Sequence, residues 1–297
     1  ELCKVVAEYG GVYVTHLRDK NTDRGFGGGG VAEALEIGRR SGAKVHFSHF
    51  RTDESTAGRV RERTELIDKA INEGIDISLE LYPYPTGSTF PLSFLPSYAH
   101  EGGPEAIMQR LENPQERKKL SDYLDNDYPR PIYDAVFSYV PLNADLEGKS
   151  LPQVASERGT TLGTTLCDML LENKAQVGYW GSPPVSVSAW DQINRDAMEL
   201  LSRPDYMVGS DSIPLGNYPH PRAYGTFPRI VGRFQRKYNV MKLEETIQRI
   251  TDNPARRFGL ELRGLIKPGY YADIVIFDPE SIIDNSTYDD PKQHPTG

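Results

Sequence analysis

Apolar positions along the first eighty-odd residues switch between two periods. "GVYVTHLRD" (11–19), "AKVHFSHFR" (43–51) and "IDISLELYPY" (75–84) alternate or run apolar as β-strands do. Between them, "VAEALEIGRRSG" (31–42) and "GRVRERTELIDKAINEG" (58–74) carry apolar residues at helical spacing, with Val60, Thr64, Ile67 and Ile71 on one face. Strand, helix, strand, helix, strand predicts βαβ units and a parallel sheet. The rhythm breaks from Thr86 to about Asp205, a Pro- and Tyr-rich stretch with helical patterns at 104–125 and 151–173 and short strand-like pieces "AVFSYV" and "AQVGYW". It reads as a long insertion, or lid, over the scaffold. "DYMVGSD" (205–211) resumes the scaffold as a fourth strand, and helices are predicted at 228–237 and 242–251. The last stretch, "RGLIKPGYYADIVIFDPE", has a Pro-Gly turn and alternating apolar residues. It predicts a small β unit over 259–297, beside an α/β part over 1–258.

Parity places polar residues at the strand ends. His16 shares a face with Val14 and Val12, His49 with Phe47 and Val45, and Asp211 with Gly209 and Met207. His46 falls on the opposite face with Ser48 and Lys44, and is expected to pack toward the helices. In a closed parallel barrel the functional groups sit at the C-terminal strand ends. Two imidazoles and a carboxylate converging there are the usual donors for Zn²⁺, which lowers the pKa of a water it binds to about 7. Each residue alone has a plainer reading, as a hydrogen-bonded strand-end histidine or a turn-forming aspartate.

Composition narrows the field. The 297 residues carry a formal net charge of -8, so nothing in the charge invites nucleic acid or an anionic membrane. No apolar run is long enough to span a bilayer. Two cysteines, Cys3 and Cys167, exclude a disulfide framework or a Cys-rich zinc module. "RGFGGGG" (24–30) lacks the Lys-Ser/Thr of a phosphate loop and reads as a loop near the mouth. The chain starts without Met, in what looks like the end of a helix, and stops in loop-like sequence. It reads as a piece of a longer protein. The expected location is cytoplasmic, the expected partner is a small molecule, and the oligomeric state stays open.

Together "GGVYVTHLRD", "VHFSHF", "YPYPTGST", "GSDSIPLGNYPHPRAYGTFPR", "NPARRFGL" and "RGLIKPGYYADIVIFDP" resemble the D-aminoacylase (N-acyl-D-amino-acid deacylase) branch of the amidohydrolase superfamily. The resemblance implies an α/β fold, the second half (strands five to eight) of a metal-dependent (β/α)8 TIM barrel with part of a small C-terminal β-sandwich. It implies zinc, one ion or two, and cleavage of the amide of N-acyl-D-amino acids or related D-residue amides. By the same resemblance His16 and His49 are metal ligands, and Asp211 is both ligand and catalytic base. Arg222, Tyr82 and Ser88 bind substrate, with Arg51 where the family often has Lys. The family's early His-x-His pair and its zinc-site cysteine would lie upstream of Glu1, so this piece alone is expected to bind zinc poorly. The alternatives are a cyclic-amide hydrolase of hydantoinase type and a non-catalytic fragment or binding protein.

Overall fold

The computed structural model describes residues 1–18, 29–128, 132 and 134–297. The glycine-rich loop 24–30 therefore lies mostly outside the described residues. The chain opens with α1 (Leu2–Glu8), β1 (Val12–Thr15), α2 (Gly29–Ser41), β2 (Lys44–Phe47), α3 (Val60–Asn72) and β3 (Ile77–Leu81). α2 and α3 each bury one stripe, Val31, Ala34 and Leu35 from α2 and Val60, Ile67 and Ala70 from α3.

The insertion then folds around a core of its own. It contains β4 (Ser88–Thr89), α4 (Gly103–Glu112), α5 (Pro114–Asp122), β5 (Ala135–Tyr139), α6 (Leu151–Arg158), α7 (Leu162–Glu172) and β6 (Gly178–Gly181). Its three strands form an antiparallel sheet in the order β4-β6-β5. Phe94, Leu111, Leu120, Phe137, Leu166 and Met169 are buried beneath it. The two long helices expected here are each broken in two. Pro114 has no N–H to continue α4, and the Asn113 side chain caps α5 by accepting from the N–H groups of Gln115 and Glu116. Gly159, in the left-handed conformation, closes α6.

The scaffold resumes earlier than expected. α8 (Val187–Ser202) buries Ala197, Met198, Leu200 and Leu201 in the first core, so the second core ends before it rather than near 205. Then follow β7 (Tyr206–Val208), α9 (Arg222–Pro228), a π-helical turn (Arg229–Phe234), α10 (Gln235–Tyr238), α11 (Leu243–Ile250) and α12 (Asp252–Phe258). The scaffold sheet is wholly parallel, in the order β1-β2-β3-β7. Among the described residues, no helix is long and apolar enough to cross a membrane.

The C-terminal expectation fails locally. Beyond α12 the described residues form no strand, and the one ladder contact is an isolated bridge between Ile283 and Thr296. Ile274, Val275 and Ile276, the alternating heart of "ADIVIFD", are 58%, 81% and 93% exposed. A strand needs a paired neighbour, and among the described residues no segment pairs with them.

The two faces of the scaffold sheet differ in kind. Val45, Phe47, Leu79, Leu81, Tyr206 and Val208 pack on the α2, α3 and α8 layer. The other face carries Val14, His46 and Ser78 in register, with Glu80 opposite Met207. This corrects the parity reading of β2, since Val45 and Phe47 turn toward the helices and His46 away from that layer. His46 is buried, with Nδ1 2.7 Å from Ser78 Oγ and its ring edge-on to Phe258 of α12. Burial and then the charge of Arg257 push it down to about 4, so it is a neutral, packed group.

Candidate active site

The candidate residues gather beyond the C-terminal ends of β1, β2, β3 and β7. His16 continues the parity of β1 and reaches the mouth on the face of Val14. His49 gets there by another route. The strand stops at Phe47, and His49 sits in a turn with φ +40°. That left-handed residue breaks the alternation and aims the imidazole across the sheet end. His16 Nδ1 and His49 Nε2 come within 2.7 Å, with ring centroids 4.6 Å apart. Burial, and next the neighbouring His16, push His49 down to about 4. The two nitrogens face each other at hydrogen-bond distance, and an unprotonated ring nitrogen is the form that binds metals.

Asp211 lies three residues past β7 and is also left-handed, at φ +46°. Its Oδ2 is 2.9 Å from Arg222 Nη1. Arg222, the first residue of α9, is among the largest fully buried side chains in the molecule. Its Nη2 donates to the Ser88 carbonyl at 2.9 Å, and its guanidinium lies 4.4 Å from the Tyr82 ring centroid. Among the described residues Nε has no partner, and the contact of Nη1 with Asp211 lacks hydrogen-bond alignment. The buried Ser88 hydroxyl has no partner among the described residues either. Buried donors left unpaired are costly, and here they cluster beside one another at a mouth. Gly87 lets the loop lie close against this tyrosine, because a Cβ there would stand 2.8 Å from the Tyr82 hydroxyl.

Arg51 sits behind this pocket. Nη1 donates to the Thr52 and Pro85 carbonyls, Nη2 to the Tyr82 hydroxyl at 3.2 Å, and the guanidinium lies 4.7 Å from the Tyr82 ring. It braces the tyrosine rather than reaching for the mouth.

One site residue escaped sequence reasoning. Glu80, on β3, accepts from Ser48 Oγ at 2.9 Å and from the His49 N–H at 3.4 Å. Burial raises its carboxyl above the usual range, and the charge of Asp211 adds to that. A Cβ at Gly209 would overlap its carboxylate, so that glycine makes room for it. The available signal was a lone acid inside the apolar run "ISLEL".

The metal test gives a mixed answer. Two imidazoles converge as donors should, with carboxylates close by. Yet among the described residues no three His, Cys, Asp or Glu side chains converge as a metal-binding set, and Asp211 faces Arg222. The donors fit a metal in kind, as part of a ligand set.

Comparison with known proteins bears on this arrangement. An amidohydrolase family model matches residues 177–297. D-aminoacylase of Alcaligenes xylosoxydans xylosoxydans is 30% identical over 302 positions, covering 100% of this chain and 51% of the relative. The chain is related to the D-aminoacylase branch of the amidohydrolases. N-acyl-D-glutamate deacylase from Bordetella bronchiseptica, solved with zinc and a phosphonate inhibitor that mimics the reaction's tetrahedral intermediate, superposes with a TM-score of 0.74 at 28% identity. That match covers 100% of this chain and 52% of the other. A D-aminoacylase structure concerned with its binuclear metal centre gives a TM-score of 0.73 at 27% identity, again covering 100% and 52%. The chain spans about half the length of these relatives.

Proposed function

We propose that this chain supplies the base and the carboxylate pocket of a metal-dependent hydrolase of N-acyl-D-amino acids. In this reading its four parallel strands are the second half of an eight-stranded barrel. The observation that carries it is the buried Arg222, with unpaired donors, set between Asp211 and the Tyr82–Ser88 loop. Guanidinium binds carboxylate through paired hydrogen bonds, and an N-acyl amino acid offers one carboxylate next to the scissile amide. Arg222 and the Ser88 hydroxyl hold that carboxylate, while the Tyr82 ring supports the guanidinium. His16 and His49 donate to the metal, and Asp211 is its carboxylate neighbour. Zinc, one ion or two, would supply Lewis-acid polarisation and a more acidic water. Asp211 accepts the proton of the attacking water and passes it to the leaving amine. The zinc-bound deacylase and the D-aminoacylase with a binuclear centre support this choice of chemistry.

The test is a panel of matched N-acetyl-D- and N-acetyl-L-amino acids given to the full-length gene product, before and after chelation. The expected result is a D over L preference of at least ~100-fold, abolished by chelation and restored by zinc. Equal turnover of the two series would sink the reading.

A further inference from the structure

Behind Arg222 lies a polar cluster that the proposed reaction does not use. His220 is buried, and its Nδ1 accepts from the backbone N–H of Arg222 at 3.0 Å. A ring nitrogen that accepts carries no proton, so in the neutral ring the proton sits on Nε2. Burial and the charges of Arg222, Arg51 and Arg229 all disfavour the cation. Nε2 lies 3.3 Å from both the Thr86 hydroxyl and the Tyr288 hydroxyl, which are 2.9 Å from each other. Three segments distant in sequence therefore meet at one imidazole. They are the loop that holds Tyr82 and Ser88, the turn that begins α9, and the C-terminal segment 282–291.

That segment is anchored on both sides of the turn. Asp284, with its side chain fully buried, lies 2.8 Å from Arg229 Nη1 and 3.0 Å from Arg233 Nε. The Ser286 hydroxyl is 3.1 Å from the Pro221 carbonyl. The Tyr288 ring packs edge-on against His220 and Tyr84, and it touches Trp180 of the insertion's sheet. A hydroxyl at this junction can set the His220 ring, and through it the backbone from which Arg222 projects.

We propose that Tyr288 and His220 are positioning residues that hold Arg222 in register for the substrate carboxylate, which makes the C-terminal segment part of the specificity machinery. This rests on the reading of Arg222 as the carboxylate anchor. A positioning residue acts through its partner, so its effect vanishes when the partner is removed.

The test is a double-mutant cycle on the full-length gene product with an N-acetyl-D-amino acid. Tyr288→Phe removes only the hydroxyl. It is expected to raise KM about 5- to 10-fold, with kcat within about twofold. In an Arg222→Ala background the same change is expected to move KM by less than about twofold. His220→Asn keeps an acceptor for the Arg222 N–H and loses Nε2. It should match Tyr288→Phe, and the two combined should be no worse than either. An unchanged KM for Tyr288→Phe, or the same fold-rise in both backgrounds, overturns the proposal. If Arg222→Ala itself leaves KM unchanged, the carboxylate reading fails and takes this inference with it. If Arg222→Ala raises KM about 100-fold and Tyr288→Phe does nothing, only the positioning role falls.

Discussion

The two halves of the candidate site are finished to different degrees. Around Arg222 the pocket is closed, with a buried guanidinium, an aromatic floor, a carbonyl acceptor and a braced tyrosine, all from this chain. Around His16 it is open. That histidine is exposed at the end of an edge strand, and Val14, two residues before it on the same face, is 49% exposed. The contrast shows how function divides along the sequence. Residues that recognise a carboxylate can be assembled from neighbouring loops of one half-sheet, while a metal shell draws on donors from around a whole mouth. Electrostatics follow the same division, because the closed half keeps a permanent cation and the open half keeps imidazoles that must be neutral to work.

The sharpest way to break this comparison is at Asp211, where the halves touch. Asp211→Asn in the full-length gene product is expected to lower kcat about 10³-fold while zinc content stays near that of the parent. A fall in kcat that tracks loss of zinc and is reversed by added zinc would move Asp211 into the metal half alone. Next comes His16→Ala, which removes one of the two converging donors. Zinc per chain after dialysis is expected to drop below about half that of the parent, read by elemental analysis. Retained zinc would mean that His16 is not a ligand.

A smaller effect should come from beneath the pair. His46 falls from 6.5 to about 4 on folding, so the unfolded chain binds more protons between those values. Stability is therefore full above pH 6.5 and is lost as pH falls toward 4, by up to ~3 kcal/mol from this residue. The gap between urea midpoints at pH 7 and pH 4.5 should narrow in His46→Gln, and an unchanged gap would refute the assignment. The smallest change is expected from Arg51→Lys. A lysine cannot reproduce the fork onto Pro85 and Tyr82, so KM should rise only about threefold. A rise of ~100-fold would put residue 51 on the substrate instead of behind Tyr82.

How far the sequence could be read depended on whether a signal was local. The strand and helix periods placed β1, β2, β3 and β7, and strand-end position singled out His16, His49 and Asp211. The sense of β2 was not legible. "VHFSH" has one apolar face, and nothing in a single strand says whether that face meets helices or a barrel interior. His49 was selected for an inadequate reason, because its orientation comes from a turn rather than from strand parity. Glu80 was hidden in an apolar run, and its meaning depends on Ser48 and Gly209, just past the ends of β2 and β7. The network on His220 joins residues 86, 220 and 288, a separation no local pattern reveals.

The backbone at His49 and Asp211 has a consequence for anyone who would stabilise this protein. Left-handed φ values at non-glycine residues cost of order 1–3 kcal/mol each. At Asp211 the ion pair with the buried Arg222 offsets that cost, so glycine there would strand a buried cation. At His49 a search guided by folding free energy alone would choose glycine and be rewarded for it. His49 is thus where selection for durability and selection for chemistry pull in opposite directions, and directed evolution under heat, with no activity screen, should erode it before it touches the apolar strands beneath.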